Sequence, residues 1–403
     1  MTIAALDVHK KVLMAVLLTN GEVIVRQRFL TGTGERKRLA EWLKKQGASQ
    51  VVMESTAQYW KPIWSDLEVL FGTGELHLAQ AHSNRARKGR KHDFKDAERL
   101  GRRLIAGELI LSYVPDMEQR CWRTMSRTRA QLVEDHTRVQ NQIEALLEEA
   151  NIKLSSVVTD LLGGSGYRIL KALAEGKLDA EQMAALGDKR LKCSQEELQD
   201  ALNVAMMPMH RAILSQKLEQ LELNRKQQEE LEMLLSKNLN KHRTEVERLA
   251  QIPGMGVQSA LQVIAEVGPT VKAFDSAAQF ASWIGTCPGL NESAEQNKSA
   301  HSPKGNRFLR TVLMQCAQAA VRTKGSIFQA TFNKMLVPKG YKKAAWAIAH
   351  KLSRVIWKIL KDGVDYVEYG PSRDAKSVKQ RVNRLVRELR TLGFTVEKSA
   401  VVQ

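Results

Sequence analysis

Several features of common protein classes are missing from this 403-residue sequence. Its cysteines, Cys121, Cys193, Cys287 and Cys316, are widely spaced and form no Cys-x-x-Cys pair or Cys/His cluster. This pattern argues against a structural zinc site and fits free thiols in a reducing cytoplasm. No apolar run approaches the roughly 20 residues of a membrane span, and the N-terminus enters a strand pattern rather than a signal peptide. We therefore expect a cytoplasmic protein.

Two familiar catalytic signatures are also absent from the sequence. There is no Walker loop, which argues against the usual ATP site. There is no Gly-x-Ser-x-Gly motif and no evident Ser/His/Asp arrangement of a hydrolase. Any chemistry must therefore come from other residues.

Positive charge is the strongest compositional feature of the chain. Lys and Arg number 62 against 44 Asp and Glu, which gives a formal net charge of +18. The excess is clustered: residues 85–91 hold five basic residues in seven, and the segment from Ser372 onward holds eight basic residues and three acidic ones. Clustering on this scale favours a nucleic-acid partner, and the alternative is a solvated surface.

The first 116 residues carry a mixed α/β pattern. Residues 2–30 indicate three strands, with a hairpin-turn signal at Asn20-Gly21. Helix and strand signals then alternate, with helices over Gly34–Gln46 and Tyr59–Phe71 and strands over Val51–Glu54 and Leu76–Ala79. Three antiparallel strands followed by alternating helices and strands is the order of a ribonuclease-H-like fold.

The rest of the chain is predicted to be all-α. Leucines and other apolar residues recur at helical spacing in two charged segments, around Leu132–Leu146 and Leu214–Leu235. This pattern favours an antiparallel coiled-coil arm over residues 117–245, with a helical insertion at about 155–210. Two core helices of a bundle are the alternative interpretation.

A third module is predicted over residues 246–370, before a basic tail at 371–403. The segment Ile252–Gly256 has the apolar-Pro-Gly-apolar-Gly order of a helix-hairpin-helix element, followed by a helix over Val257–Val267. Its glycines would free backbone N–H groups to meet a DNA phosphate, although such segments also occur as plain turns. Another helix is predicted over Tyr341–Leu360.

Four acidic residues are the best candidates for catalysis. Asp7 and Glu54 each close a short apolar strand pattern, and Asp93 and Asp96 form an Asp-x-x-Asp pair behind the basic run. Carboxylates at sheet ends suit hard cations such as Mg²⁺ or Mn²⁺, which can clamp a phosphodiester for displacement. The i, i+3 spacing places Asp93 and Asp96 on one helix face. The plainer interpretation of Asp93 is a helix N-cap.

A polar loop over residues 291–302 is the second candidate. It contains Ser293, Ser299 and Ser302, with Lys304, Arg307 and Arg310 close behind. A serine that attacks phosphorus needs nearby cations to stabilise the charge on the phosphate oxygens. The alternative is a flexible phosphate-binding loop without a covalent role.

The acidic segments resemble the DEDD transposases of the insertion-sequence one-ten family, which are relatives of the Piv-type DNA invertases. The first acidic motif of that family is similar to residues 5–10 (Ala-Leu-Asp-Val-His-Lys), and the second to residues 54–60 (Glu-Ser-Thr-Ala-Gln-Tyr-Trp). The third, with two aspartates before an alanine, is similar to residues 92–97 (His-Asp-Phe-Lys-Asp-Ala). Ala57 stands where the family commonly has glycine.

The C-terminal half resembles the second, serine-bearing domain of the same family. The similarity runs through residues 252–256, 280–285 and 288–310, and Ser293 falls at the position of the family's nucleophilic serine. Ala294 follows it where glycine is usual. Ser299 and Ser302 stay open as alternative nucleophiles.

The resemblance implies a RuvC-like metal site in which Asp7, Glu54, Asp93 and Asp96 hold Mg²⁺ or Mn²⁺. It also implies a transient phosphoserine link between Ser293 and DNA, followed by strand exchange. Members of the family use a structured noncoding guide RNA, the bridge RNA, to pair with donor and target DNA. The resemblance implies that a homodimer or homotetramer binds these nucleic acids, in the cytoplasm and associated with a bacterial-type nucleoid. The predicted nucleic-acid contacts are Arg85, Arg87, Lys88, Arg90, Lys91, Lys304, Arg307 and Arg310.

Two other functions compete with an RNA-guided recombinase. A RuvC-like nuclease or Holliday-junction resolvase would need the four acids and no serine nucleophile. A non-catalytic nucleic-acid scaffold would need neither.

Overall fold

The structure, a computed structural model, divides into two compact units, residues 1–118 and 119–403. The first unit is α/β and the second is mostly helical, which confirms the predicted mixture of classes. The residues described are 1–55, 57–72, 74–81, 92–289, 291–293, 296–299, 301–368 and 386–387.

A six-stranded sheet organises the first unit, in the order β3-β2-β1-β4-β5-β6. The first three strands pair antiparallel, β4 and β5 continue parallel to β1, and β6 pairs antiparallel with β5. The strands are β1 (Thr2–Val8), β2 (Val12–Thr19), β3 (Glu22–Leu30), β4 (Gln50–Glu54), β5 (Leu76–Ala79) and β6 (Leu111–Ser112). β1, β2 and β4 form the apolar centre because both of their faces are covered.

Helices cover the two faces of this sheet separately. The helices α1 (Thr33–Lys45) and α2 (Trp60–Leu67) bury their apolar residues against one face. The helix α3 (Asp93–Ile105) packs Ala97 and Leu100 against the other face. The strand residues under α3 include Ala5, Val16 and Val52, so alternate residues of each strand face α3.

Gly101 sets how closely α3 approaches the sheet. A Cβ atom at this buried position would lie 2.5 Å from Leu18 Cδ1 and 3.1 Å from the Ala5 Cβ. Asp93, Ala97 and Gly101 follow each other at i, i+4 and i+8, so they share one face of the helix. The close approach at Gly101 therefore brings Asp93 down onto the sheet at the other end of the same helix face.

Within the described residues, the second unit consists of helices and one small hairpin. Its elements are α4 (Met117–Glu149, which starts two residues before the boundary), α5 (Leu154–Val157), α6 (Gly164–Glu175), α7 (Ala180–Ala184), α8 (Gln195–Leu202), α9 (Pro208–Asn238), a 3₁₀ turn (Asn240–His242), α10 (Arg243–Ala250), α11 (Val257–Val267), α12 (Ala277–Ile284), β7 (Asn291–Ser293), β8 (Gln296–Ser299), α13 (Arg307–Ala320), α14 (Ile327–Lys339) and α15 (Tyr341–Asp362).

Two long helices, α4 and α9, run antiparallel to each other. The Asn224 side chain donates to the Leu132 carbonyl over 3.0 Å, and farther along Arg129 pairs with Glu232. The segment between them builds its own apolar core, in which α6 packs against α9 and α8 packs against α5 and α7. Coiled-coil packing of the pair stays a prediction.

The C-terminal helices α10–α15 enclose a separate apolar core. The turn between α10 and α11 contains Gly254, which has a φ of +81° and whose added Cβ would lie 2.3 Å from the Ala320 nitrogen of α13. This glycine is therefore required by close packing of the turn on α13, whatever its role with DNA. In the described part of the chain, no helix is both long and apolar enough to cross a membrane.

We expect Gly101→Val to destabilise the first unit, because the new side chain overpacks the contact between α3 and the sheet. The free energy of unfolding, measured by denaturant titration, should fall by about 1–3 kcal/mol. Gly34→Ala in α1 is the matched control, since nothing lies within 4 Å of an added Cβ there. Equal stability of the two variants would contradict the close packing.

Candidate active site

Asp7 and Glu54 lie side by side at the carboxyl ends of two parallel strands. The β1–β4 register pairs Leu6 with Met53, so Asp7 and Glu54 are the next positions on neighbouring strands. Both lie on the sheet face that α3 covers, as Ala5 and Val52 do two residues earlier. Each is partly exposed. The sheet therefore presents two adjacent carboxylates beside the start of α3.

Helix α3 brings the other two acids to this end of the sheet. The N-cap residue of α3 is His92, and Asp93 is the first residue of the helix itself. No side-chain hydrogen bond caps this helix, so the interpretation of Asp93 as an N-cap was wrong. Asp93 and Asp96 both occupy the first turn, where the positive end of the helix dipole favours carboxylates. Asp96 lies 3.6 Å from the Arg99 guanidinium.

His9 joins this group, although its sequence position did not identify it as a ligand. Its Nε2 lies 3.1 Å from Asp7 Oδ2 and 3.7 Å from Asp93 Oδ1. One potential ligand atom from each of these residues lies within 4.8 Å of the others. The signal in the sequence was the spacing of His9 two residues after Asp7, which keeps both side chains on one side of an extended chain.

The donor set fits a divalent cation. Two carboxylates and an imidazole suit Mn²⁺, and the carboxylates alone suit Mg²⁺. The side chains of Asp7, His9 and Asp93 are 20%, 32% and 40% exposed, so an ion and a substrate phosphate could both reach them. Glu54 lies in the same row of the sheet and Asp96 in the same helical turn, outside the three-residue group.

His77 lies one row deeper on the same sheet face, paired with Val52. Burial lowers the pKa of its imidazole, so the side chain stays neutral near neutral pH. A neutral ring adds no positive charge that would compete with a cation at the carboxylates.

The serine segment forms a short hairpin rather than the predicted polar loop. β7 and β8 pair antiparallel, with Ser293 opposite Gln296 and Asn291 opposite Ser299. The prediction of a loop was wrong because strands this short and polar lack the alternating apolar pattern that identifies a strand. Ser293 lies in β7 and Ser299 in β8, and the structure describes only the backbone of these two residues.

Close backbone contacts fix the base of the hairpin. Gly285 and Gly305 both have positive φ, and an added Cβ at Gly305 would lie 2.0 Å from the Ile284 carbonyl oxygen. Arg310 donates to the carbonyls of Gly285 and Pro303 over 2.6 Å each, and its guanidinium lies 4.4 Å from the Trp346 ring centroid. The two legs of the hairpin are therefore tied together where they leave α12 and enter α13.

A buried carboxylate anchors the second leg. Glu266 accepts two hydrogen bonds from Arg127, over 2.7 and 2.8 Å, and a third from Asn306 over 2.9 Å. Asn306 in turn caps α13 by accepting from the Phe308 and Leu309 amides. The bond to Glu266 raises the pKa of Arg127. Glu266 thus connects α4 and α11 to the residue that ends the hairpin segment.

The predicted nucleic-acid contacts have different surroundings. Arg85, Arg87, Lys88, Arg90 and Lys91 lie outside the described residues. Lys304 is exposed, and Arg307 pairs with Glu134 on the surface over 2.8 Å. The Arg310 guanidinium is engaged at the hairpin base. Nucleic-acid contact by these residues stays a prediction.

Comparison with known proteins identifies the family. A transposase model of the DEDD type from IS110 elements matches residues 4–152, and a model described as the transposase IS116/IS110/IS902 family matches residues 246–333. Together the two segments cover more than half of the chain. The chain belongs to the IS110 family of DEDD transposases. The transposases of this family are DNA-processing enzymes of insertion sequences.

Two relatives extend the similarity along most of the chain. It is 26% identical to a "Probable family 20 transposase" of Pseudomonas aeruginosa over 366 residues, which cover 88% of this chain and 95% of the relative. It is 24% identical to the transposase for insertion sequence element IS1111A of Coxiella burnetii, over 68% of this chain and 67% of the relative.

One departure of this transposase from the family motif has a visible structural consequence. Ala57, which follows Glu54 by three residues, has a φ of +49°. This left-handed conformation costs a residue with a Cβ about 1–2 kcal/mol, whereas glycine adopts it freely. The backbone within the second acidic motif is therefore strained at the position where the family commonly has glycine.

We predict that Glu266→Ala destabilises the second unit by about 1–3 kcal/mol, because Arg127 and Asn306 lose the carboxylate that accepts their hydrogen bonds. Denaturant titration of the free energy of unfolding tests this. Glu134→Ala is the control, since Glu134 pairs with Arg307 on the exposed surface and its loss should cost at most about 1 kcal/mol. Similar losses in both variants would refute the anchoring role of Glu266.

Proposed function

We propose that this transposase cuts and rejoins DNA at a divalent-metal site held by Asp7, Glu54, Asp93 and Asp96, with Ser293 as the nucleophile. The observation that carries the proposal is the convergence of Asp7 and Asp93 at one end of the sheet, from elements 86 residues apart in sequence. A RuvC-like arrangement of the sheet is part of the proposal. Its support is the strand order, with three antiparallel strands followed by two parallel ones.

The four carboxylates would hold Mg²⁺ or Mn²⁺ beside the scissile phosphate. A bound divalent cation supplies Lewis-acid stabilisation of the negative charge that develops on the phosphate oxygens. The protein's part is to fix the ligands on a strand end and a helix start, which move little. His9 orients Asp7 through the 3.1 Å contact between its Nε2 and Oδ2.

In the proposed covalent step, the Ser293 Oγ attacks the scissile phosphorus. The Oγ–P bond forms as a bond from phosphorus to one deoxyribose oxygen breaks, and the serine proton ends on that oxygen as a free hydroxyl. A deoxyribose hydroxyl of the partner strand then attacks the phosphoserine, which restores the serine and joins the new strand. No net oxidation occurs, and the number of phosphodiester bonds is conserved.

The guide RNA and the oligomer belong to the same proposal. A net charge of +18 suits a protein that binds DNA and a structured RNA together, with base pairing reading sequence and protein reading backbone shape. The antiparallel α4 and α9 would act as a coiled-coil arm that joins protomers into a dimer or tetramer. The carboxylates and the serine of one active site would then come from different protomers.

A simpler nuclease or junction resolvase is favoured by one observation. Asp7, His9 and Asp93, the three members of the candidate ligand group, all belong to the first unit. Such an enzyme would cut DNA through its metal site and leave no protein–DNA link. The covalent intermediate therefore separates the two functions.

We expect a denaturant-stable protein–DNA adduct when the transposase is incubated with labelled DNA spanning the ends of its element, the element's end-derived RNA and Mg²⁺. Chelation with EDTA should abolish the adduct, and so should Asp7→Asn, because the metal site would be lost. Peptide mapping of the trapped adduct should place the DNA on Ser293.

Ser293→Ala is the decisive variant, with Ser299→Ala and Ser302→Ala as matched controls. The proposed mechanism is supported if Ser293→Ala loses the adduct and both control variants keep it. An adduct that maps to Ser299 or Ser302 would identify that serine as the nucleophile instead. Continued metal-dependent cleavage by Ser293→Ala, without any adduct, would establish the nuclease function instead.

A further inference from the structure

A row of side chains crosses the sheet face beneath α3 and ends in an unused cation. The register pairs Asp7 of β1 with Met14 of β2, and Met14 with Arg28 of β3. Side chains that are directly paired across strands lie on the same face of a sheet. Arg28 is exposed and has no ion-pair partner among the described residues. It therefore presents a free guanidinium in line with the candidate metal ligands.

Arg26 extends this positive charge along β3. It is paired with Val16 on the same sheet face, and its Nε donates to Glu98 of α3 over 2.7 Å. One turn nearer the start of α3 from Glu98 is Lys95, which is exposed and likewise has no ion-pair partner within the described part of the chain. At the far end, Arg102 reaches the Gly21 carbonyl over 3.4 Å.

Arg28, Arg26, Lys95 and Arg102 form a positively charged strip along β3 and α3, which we call the basic groove. Glu98 is the acidic residue among these contacts, and its ion pair with Arg26 neutralises its charge. The groove therefore carries a net positive charge along its length. Because α3 runs from Asp93 toward Arg102 while β3 runs back toward Arg28, the Arg28 and Lys95 end opens beside Asp7 and Asp93.

The spacing matches a nucleic-acid strand. Arg28 lies two strands from Asp7, which is about 10 Å across a sheet. Successive phosphates of a B-DNA strand are separated around the helix as well as by roughly 3.4 Å along its axis. A phosphate within about two nucleotides of a bond held at Asp7 therefore falls within reach of Arg28. Arginine and lysine side chains of this kind contact the phosphates and fix the register of the strand without reading its sequence.

We propose that the basic groove binds the phosphate backbone of the DNA strand cut at the carboxylates, within about two nucleotides of the cut. The inference rests on the proposed function, which makes DNA the strand at Asp7 and Asp93. DNA is therefore the partner assigned to the groove, and the guide RNA is an outcome of the test. Arg28 and Lys95 act as positioning residues and take no part in bond breaking.

The test measures binding of the full-length protein to duplex DNA in EDTA, by fluorescence anisotropy across a series of salt concentrations. In EDTA neither metal nor covalent chemistry contributes, so the result is independent of the cleavage mechanism. Arg28→Gln should reduce the slope of log K against log salt by about 0.9, and Arg28→Gln with Lys95→Gln by about twice that. Arg28→Lys should keep the parental slope, because it keeps the charge.

Arg38→Gln is the matched control, since Arg38 is an exposed arginine on α1, which covers the opposite sheet face. It should leave the slope unchanged. An unchanged slope in Arg28→Gln and in the double variant would overturn the proposal. The proposal would also be overturned if Arg28→Gln reduced the slope for a structured RNA and left the slope for DNA unchanged. That result would assign the groove to RNA.

Discussion

The close approach of α3 to the sheet is the constraint on which the candidate metal centre depends. Asp7 and Glu54 are placed by strand pairing, which fixes their row to within one residue. Asp93 and Asp96 have no such pairing and are held in place because Ala97, Leu100 and Gly101 of the same helix pack on the sheet. An added methyl group at Gly101 would tilt or lift the helix, because it would lie 2.5 Å from Leu18 Cδ1. The distance from Asp93 to His9 follows directly from this packing.

The second unit uses a buried charge for a similar purpose. Glu266 is 2% exposed and binds Arg127 through both carboxylate oxygens, so its position is set by geometry as well as by attraction. Its third bond, to Asn306, fixes the start of α13 and thereby one leg of the serine hairpin. In both units, then, a segment that carries candidate catalytic residues begins or ends beside a residue that the core holds in place. That arrangement suits reactions that depend on positioning.

The sequence predicted most of this fold because the patterns that matter are local. The strand Leu76–Ala79 and the helix Val257–Val267 have the bounds that apolar spacing indicated. The strand β6 was missed because two residues carry no pattern and depend on pairing with Leu78 and Ala79. His9 was missed because its contact with Asp93 is created by the packing of α3, and the spacing of His9 from Asp7 does not reveal that contact. The alignment of Arg28 with Asp7 across neighbouring strands likewise depends on the strand register, which the sequence does not show.

The most direct test of the central claim is a measurement of Mn²⁺ binding, in which the electron paramagnetic resonance signal reports the concentration of the free ion. Asp93→Asn should bind Mn²⁺ at least about tenfold more weakly than the parent protein, because it removes a ligand that α3 holds against Asp7. Glu41→Gln, an exposed carboxylate on α1 across the sheet, should bind as the parent does. Equal Mn²⁺ affinity in the parent and Asp93→Asn would contradict the assignment of a metal centre to these carboxylates.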